Sequence, residues 1–240
     1  MKILVACEYS GTVRDAFAAK GHDAWSCDIL PTESKGNHFE GDVLEHLDKG
    51  WDMMIAHPPC TYLSNAGARF LYPKGILNEE RYKKGLEAKK FFMALYNAPI
   101  KYICVENPIS SKIFDLPKHS QTIQPYEYGH PFSKATRLWL KNLPLLQPTK
   151  NLKEYKPLLP SNTGGKKKGK KYHYTSISAK EASKTFQGVA AAMANQWDIQ
   201  STKVAGNWFN KGGKDRQKNR SKFFNGFAEA MADQWGKYET

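Results

Sequence analysis

Residues 2–11 read Lys2-Ile3-Leu4-Val5-Ala6-Cys7-Glu8-Tyr9-Ser10-Gly11, a short apolar run that breaks into a polar turn and a glycine. A helical pattern follows from Gly11 to Lys20, and Gly21 closes it. Strand, tight turn and helix in that order open an alternating α/β chain, because an apolar run this short suits a strand buried on both faces. Working outward, Asp23–Ile29 reads as a second strand, and Asp52–Ala56 as a third that ends at Pro58-Pro59. Asn78–Tyr96 reads as a long amphipathic helix, Tyr102–Val105 as a strand cut off by Pro108, and Thr136–Leu140 as a further strand. The pattern predicts an α/β domain over residues 1–145, with a mostly parallel sheet flanked by helices.

The chain has 240 residues, with 40% hydrophobic and 25% charged. That suffices for one large domain plus an appendage, and the composition argues against wholesale disorder. No apolar stretch reaches the roughly 18 residues of a membrane span. The apolar run at the start is too short for a signal peptide, so the cytoplasm is the expected compartment. Cys7, Cys27, Cys60 and Cys104 are far apart and form no CxxC pair, so neither a disulfide framework nor a metal site is expected.

The net charge of +13 is unevenly placed. Residues 141–240 carry 19 lysines and arginines against 7 acidic residues, whereas residues 1–140 are nearly balanced. Such an excess suits contact with a polyanion, the alternative being a solvated basic tail. Pro144, Pro148, Pro157 and Pro160 lead into a lysine-rich loop at 161–171, so residues 146–180 are expected to form a short basic loop region. Residues 181–240 hold a duplicated helical motif: Ser183–Trp197 matches Ser221–Trp235 at 10 of 15 positions. Val189, Met193 and Trp197 are spaced by four and form one stripe on a helix, as do Phe227, Met231 and Trp235.

The chemistry concentrates in Pro58-Pro59-Cys60-Thr61-Tyr62-Leu63-Ser64-Asn65-Ala66-Gly67. Each proline fixes its own φ, so Cys60 stands on a stiff turn at a strand end, the edge where α/β sheets bind ligands. A thiol there is either a nucleophile or a cysteine packed beside a proline turn. Glu106-Asn107-Pro108 ends the next clear strand and brings a carboxyl group as acid/base partner.

These two motifs resemble the C5 cytosine-specific DNA methyltransferases. PPCTYLSNAG is similar to that family's PPCQ-x-F-S-x-AG loop and ENP to its ENV tripeptide, in the same order. The chain looks closest to the short cytosine methylase-like proteins often encoded by phages. The resemblance implies a Rossmann-like S-adenosylmethionine-dependent methyltransferase domain with S-adenosylmethionine as cofactor. The substrate would be double-stranded DNA whose target cytosine is flipped out. Cys60 would be the nucleophile and Glu106 the acid that protonates N3. Arg137, in Lys134-Ala135-Thr136-Arg137, would support the base where the family has QxRxR. Glu8, Tyr9, Ser10 and Gly11 would form the cofactor turn, Asp28 would take the ribose, Asp42 would face the adenine, and Pro58 would line the same pocket. Pro59, Ser64, Asn65, Asn107, Lys134 and Thr136 would meet the substrate, and the tail repeat would close the cofactor pocket.

Two departures stand out. Thr61 replaces the family's glutamine, and the span after Arg137 is too short for the family's target-recognition domain. What remains to hold DNA is Lys166, Lys167, Lys168, Lys170 and Lys171, with the basic segment 211–220, so low sequence selectivity is expected. Tyr172, Tyr174, Trp208 and Phe209 are candidates to stack on bases. Two rival readings stay open: a variant one-carbon transfer or RNA cytosine modification by the same covalent mechanism, and a catalytically silent DNA-binding decoy.

Replacing those five lysines with alanine should weaken binding to all DNA sequences alike in a salt titration. Each lost phosphate contact should flatten the salt slope by about 0.9. A mere solubility tail predicts unchanged affinity.

Overall fold

The computed structural model describes residues 1–152 and 184–199. Seven strands form one sheet: β1 (Lys2–Ala6), β2 (Asp23–Asp28), β3 (His38–Glu40), β4 (Met53–Ala56), β5 (Tyr102–Pro108), β6 (Gln121–Ile123) and β7 (Thr136–Lys141). Their spatial order is β3-β2-β1-β4-β5-β7-β6. β1 lies between β2, with Lys2 opposite Asp23, and β4, with Ile3 opposite Met53, both parallel. β7 runs antiparallel to both β5 and β6, so it alone is reversed. The chain crosses over between β1 and β4, where strand order reverses, and open α/β sheets commonly place a ligand crevice outside the carboxyl ends of two such strands.

Alternation sorts the strand residues onto two cores. Ile3, Val5, Met53, Ile55, Cys104 and Leu138 meet Val13 and Phe17 of α1 (Thr12–Ala18). Leu4, Ala6, Met54, Ala56, Ile103 and Val105 face the other way, toward the short α2 (Ala68–Leu71) and the long α3 (Glu79–Tyr96), which contributes Phe92 and Leu95. Covering both faces explains why the inner strands read as continuous apolar runs rather than as alternating ones. Asn78 starts α3 where the residue pattern places it, its side chain accepting from the Arg81 amide at 3.0 Å.

The structure departs from the sequence pattern at three points. β3 and β6 are three residues each, too short to show a period. β5 continues through Pro108, which stands opposite Thr136 at the last rung, where a missing N–H costs least. The first tail repeat forms α4 (Gln187–Gln196), with Val189, Met193 and Trp197 at most 5% exposed. Expected as part of a separate element at 181–240, α4 instead completes the core shared with α1. The lysine-rich loop and the second repeat lie outside the described residues.

Gly188, in the first turn of α4, lets this docking happen. A Cβ there would sit 2.0 Å from the Tyr128 carbonyl oxygen. Its own amide donates to His130 Nε2 at 2.8 Å. Alanine in a helix interior ordinarily gains about 1 kcal/mol over glycine. Gly188→Ala should instead destabilise by about 1–3 kcal/mol, because the obstacle is backbone and cannot rotate away. Urea unfolding of the two proteins measures the sign.

Candidate active site

Two loops leave the sheet side by side and are stitched together. The His57 amide extends the ladder of β4 by donating to the Ala6 carbonyl at 2.9 Å. Pro58 is buried and Pro59 exposed. The Cys60 carbonyl then accepts from the amides of Leu63 (3.2 Å) and Ser64 (2.9 Å), which curls the chain into one tight turn with Leu63 fully buried. That turn is tied to the segment after β5, with the Asn65 amide donating to Ile109 O at 2.7 Å and the Ser111 amide to Leu63 O at 2.8 Å. Beneath it, Asn107 Nδ2 donates to the Pro58 carbonyl at 3.0 Å, and the residue is fully buried. The loops carrying Cys60 and Glu106 therefore cannot move independently.

Glu106 is the electrostatic centre of this region. Its side chain is 15% exposed and accepts a hydrogen bond from His57 Nδ1 at 3.0 Å. Burial pushes the carboxyl upward, but the His57 bond, the Lys134 charge and the Thr136 hydroxyl outweigh it, and the net lies below its ordinary value. The half-buried Cys60 moves the other way. Burial and the Glu106 charge raise its thiol, with Lys134 opposing.

The other expected residues fall into different places. Arg137 stands opposite Asn107 on β7, and Glu106 stands opposite Leu138. Alternation therefore turns Arg137 to the face away from Glu106, where its Nη1 approaches Ser110 Oγ at 3.4 Å. Lys134 and Thr136, not Arg137, are the neighbours of Glu106. Asn107 and Ser64, expected against substrate, are buried at 0% and 9% exposure and brace the loops instead. Asn65 is exposed beside Arg137 in a hollow open to solvent.

On the crevice side, Gly11 takes a φ of 73° that an L side chain rarely adopts. Glu8, expected to touch a ligand, is 5% exposed and accepts from the amides of Val13 (2.7 Å) and Arg14 (3.1 Å). Its carboxylate already satisfies the open end of α1, which leaves the first turn no free amides for a phosphate. Tyr9 and Ser10 complete the turn, with Ser10 Oγ donating to Glu8. Asp28 and Asp42 make no ion pair among the described residues, and both raise the Cys7 thiol, after burial as the larger cause. Beside them Ile29 is 77% exposed and Leu44 41%, an open apolar surface next to two carboxylates. The buried guanidinium of Arg14 holds the loop after β2, donating to Thr32 Oγ1 at 3.1 Å and to Ser34.

The sequence pattern missed His57 and Thr185. A further narrow cleft, partly open to solvent, runs between Glu106, Lys134 and the segment entering α4, with Thr185 and Phe186 in its wall. Thr185 Oγ1 lies 3.4 Å from His57 Nδ1. Only adjacency of β4 and β5 brings His57 to Glu106, and no local motif announces that. The lysines at 166–168, 170 and 171 lie outside the described residues.

No protein-family model matches this sequence, and no curated protein matches it. Among solved structures, it is similar to a putative DNA modification methyltransferase encoded within prophage Cp (E. coli), at 12% identity and TM-score 0.37, covering 65% of this chain and 52% of that one. It is similar to the Entamoeba histolytica methyltransferase EhMeth at 15% identity and TM-score 0.37, covering 62% and 57%. It is also similar to the S. pombe Dnmt2 methyltransferase at 12% identity and TM-score 0.37, covering 64% and 52%. The chain thus spans little more than half the length of each of these structures.

A carboxyl held below its ordinary value stabilises the fold fully above the unfolded pKa, about 4.3 for glutamate. That contribution is lost as pH falls through the lower folded value. Glu106→Gln should therefore lose less stability than the wild type below about pH 4.3. Chemical unfolding at neutral and acidic pH compares the two slopes.

Proposed function

We propose that this protein is an S-adenosylmethionine-dependent DNA (cytosine-5)-methyltransferase of low sequence selectivity that acts through a covalent Cys60 adduct. The observation that carries the reading is the stitching of the two loops, which keeps a thiol and a coupled carboxyl together at the carboxyl edge of the sheet. Carbon 5 of cytosine is a poor nucleophile until carbon 6 is attacked, and that attack needs a nucleophile and an acid at once.

The crevice residues fit the cofactor. Asp28 and Asp42 each accept one backbone hydrogen bond, from the amides of Leu30 (3.0 Å) and Leu44 (2.9 Å), which leaves further lone pairs suited to ribose hydroxyls and an adenine amino group, and Ile29 and Leu44 offer apolar surface for the base. Glu8 occupies the amides a phosphate would need, which favours a phosphate-free nucleoside over a dinucleotide. When bound, S-adenosylmethionine supplies an electrophilic methyl group.

In this reading Cys60 gives its thiol proton to solvent water, and Sγ bonds to carbon 6. The ring electrons shift toward N3, which takes a proton from the Glu106 carboxyl. Carbon 5 becomes enamine-like and would be able to take the methyl group; with solvent water accepting the carbon 5 proton, the C5=C6 bond re-forms, Cys60 leaves as thiolate and N3 returns its proton to Glu106. Lys134 favours the thiolate. Once Glu106 is protonated, the charge that raises the Cys60 thiol is gone, so acid and nucleophile become competent together. The target base must leave the duplex, at a cost of a few kcal/mol in stacking. The basic residues beyond Leu140 favour the phosphates that flank it.

Duplex DNA containing 5-fluorocytosine should trap the wild type as a denaturant-resistant adduct when S-adenosylmethionine is present, because the fluorine blocks the final proton loss. Cys60→Ala should give no adduct on a denaturing gel. Equal trapping of that variant would overturn the nucleophile assignment, and absence of any wild-type adduct would count against the whole reading.

A further inference from the structure

Arg137 has no place beside the catalytic pair, because the register of β7 turns it to the opposite face of the sheet from Glu106. The residue is half-buried, and taking a guanidinium even partly out of water ordinarily goes with a carboxylate partner. Among the described residues Arg137 has no ion pair, and its side chain makes only the long 3.4 Å contact to Ser110 Oγ. The hollow it lines is also lined by Lys112, Ser110 and Ser111, and by no carboxylate among the described residues. The field around it is positive. Burial first, then the charges of Arg137 and Lys118, hold the nearby His119 below its ordinary pKa.

Such a set of groups suits a phosphate. The planar fork of guanidinium donors matches two phosphate oxygens, and Ser110 Oγ, accepting from Arg137, keeps its own hydrogen to donate. The hollow is also tied to the nucleophile. Ser110 bridges to Ser64, and the Ser64 amide bonds to the Cys60 carbonyl at 2.9 Å. An anion seated there is therefore held at a fixed position relative to Cys60, one turn of chain away. The rim supplies the other half of a ligand, since Tyr72 and Ile109 are each 40% exposed where they line the hollow. A free phosphate has no use for apolar surface, whereas a nucleotide carries a sugar and a base beside its phosphate. Along α2, Arg69 and Arg81 lie over the Phe70 ring at 4.6 and 5.4 Å and extend the positive charge outward.

We propose that this hollow is a backbone-phosphate site for the nucleic-acid strand that carries the target base. Arg137 and Lys112 take the phosphate, Ser110 donates to it, and Tyr72 and Ile109 lie against the adjoining nucleotide. This rests on the DNA reading above and gives it a register: the strand is clamped beside the base that Cys60 attacks, whatever its sequence. Phosphate contacts position a strand without reading it, which agrees with low selectivity.

The test is binding of the full chain to an ordinary duplex, followed by fluorescence anisotropy across a salt series. Arg137→Gln should flatten the slope of log affinity against log salt by about 0.9, so its deficit at about 0.1 M salt should exceed that at about 1 M by about eightfold. Lys112 is exposed, so Lys112→Gln should act in the same direction and keep the test readable if Arg137→Gln unfolds. Lys20→Gln removes the same charge between α1 and β2, at the amino edge of the sheet, and should keep the wild-type slope. A single uncharged methylphosphonate, moved along the linkages of the target strand, locates the contact. At one linkage beside the target the wild type should lose affinity and Arg137→Gln should lose no more. Losses that add at every linkage overturn the proposal, as do wild-type slopes for both variants or an equal flattening by Lys20→Gln. Binding is read here without chemistry, so absence of a 5-fluorocytosine adduct bears on the covalent reading alone. A wild type that binds no duplex at low salt brings down both.

Discussion

The buried amide of Asn107 donates to the carbonyl of Pro58, and the rest of the site depends on that bond. Pro58 begins a turn with no amide of its own to give, and its carbonyl would otherwise be buried without a donor. Asn107 satisfies it from the neighbouring strand and so welds the ends of β4 and β5. The backbone bonds of Asn65 and Ser111 extend the weld outward. A cysteine on a proline turn and a carboxyl at a strand end are unremarkable separately. With the two held by this weld, the Glu106 charge adds to burial in raising the Cys60 thiol.

Charge is distributed with the same economy on the other side of the crossover. Rossmann-like sheets commonly leave the amides of the first helix open to a phosphate. Here the chain places Glu8 against them, and the carboxylate also fixes the turn that Gly11 makes possible. The nearby ligand surface is consequently acidic and apolar, built from Asp28, Asp42, Ile29 and Leu44. Arg14, buried beneath it, spends its donors on the loop after β2 rather than on any ligand.

Helix α4 joins the two halves of the argument. Its stripe of Val189, Met193 and Trp197 completes the core over α1, and Trp197 Nε1 donates to the Pro144 carbonyl at 3.1 Å. The segment entering the helix carries Thr185 to His57 and Phe186 to the wall of the cleft by Glu106. One element thus buries apolar surface at its middle and shapes polar chemistry at its start. The glycine at its first turn allows both, since any side chain there would hold the helix off the Tyr128 backbone.

How much was legible in the sequence follows from the range of each interaction. Apolar runs, glycines and prolines act within a few residues, so β1, β2, β4, β5, β7, α1 and α3 can be read from the chain, as can Cys60 and Glu106 at strand ends. Strand order, the reversal of β7 and the short strands β3 and β6 depend on pairing between distant segments and leave no local trace. The same holds for side-chain roles. Arg137 is one residue from Thr136 in sequence, but the two-residue period of a strand puts them on opposite faces, and only Thr136 reaches Glu106. Glu8, Asn107 and Ser64 look like ligand contacts by position and become struts once burial is known. His57 carries no motif at all. Its link to Glu106 spans 49 residues and exists only because β4 and β5 lie side by side, a proximity that only the folded sheet creates.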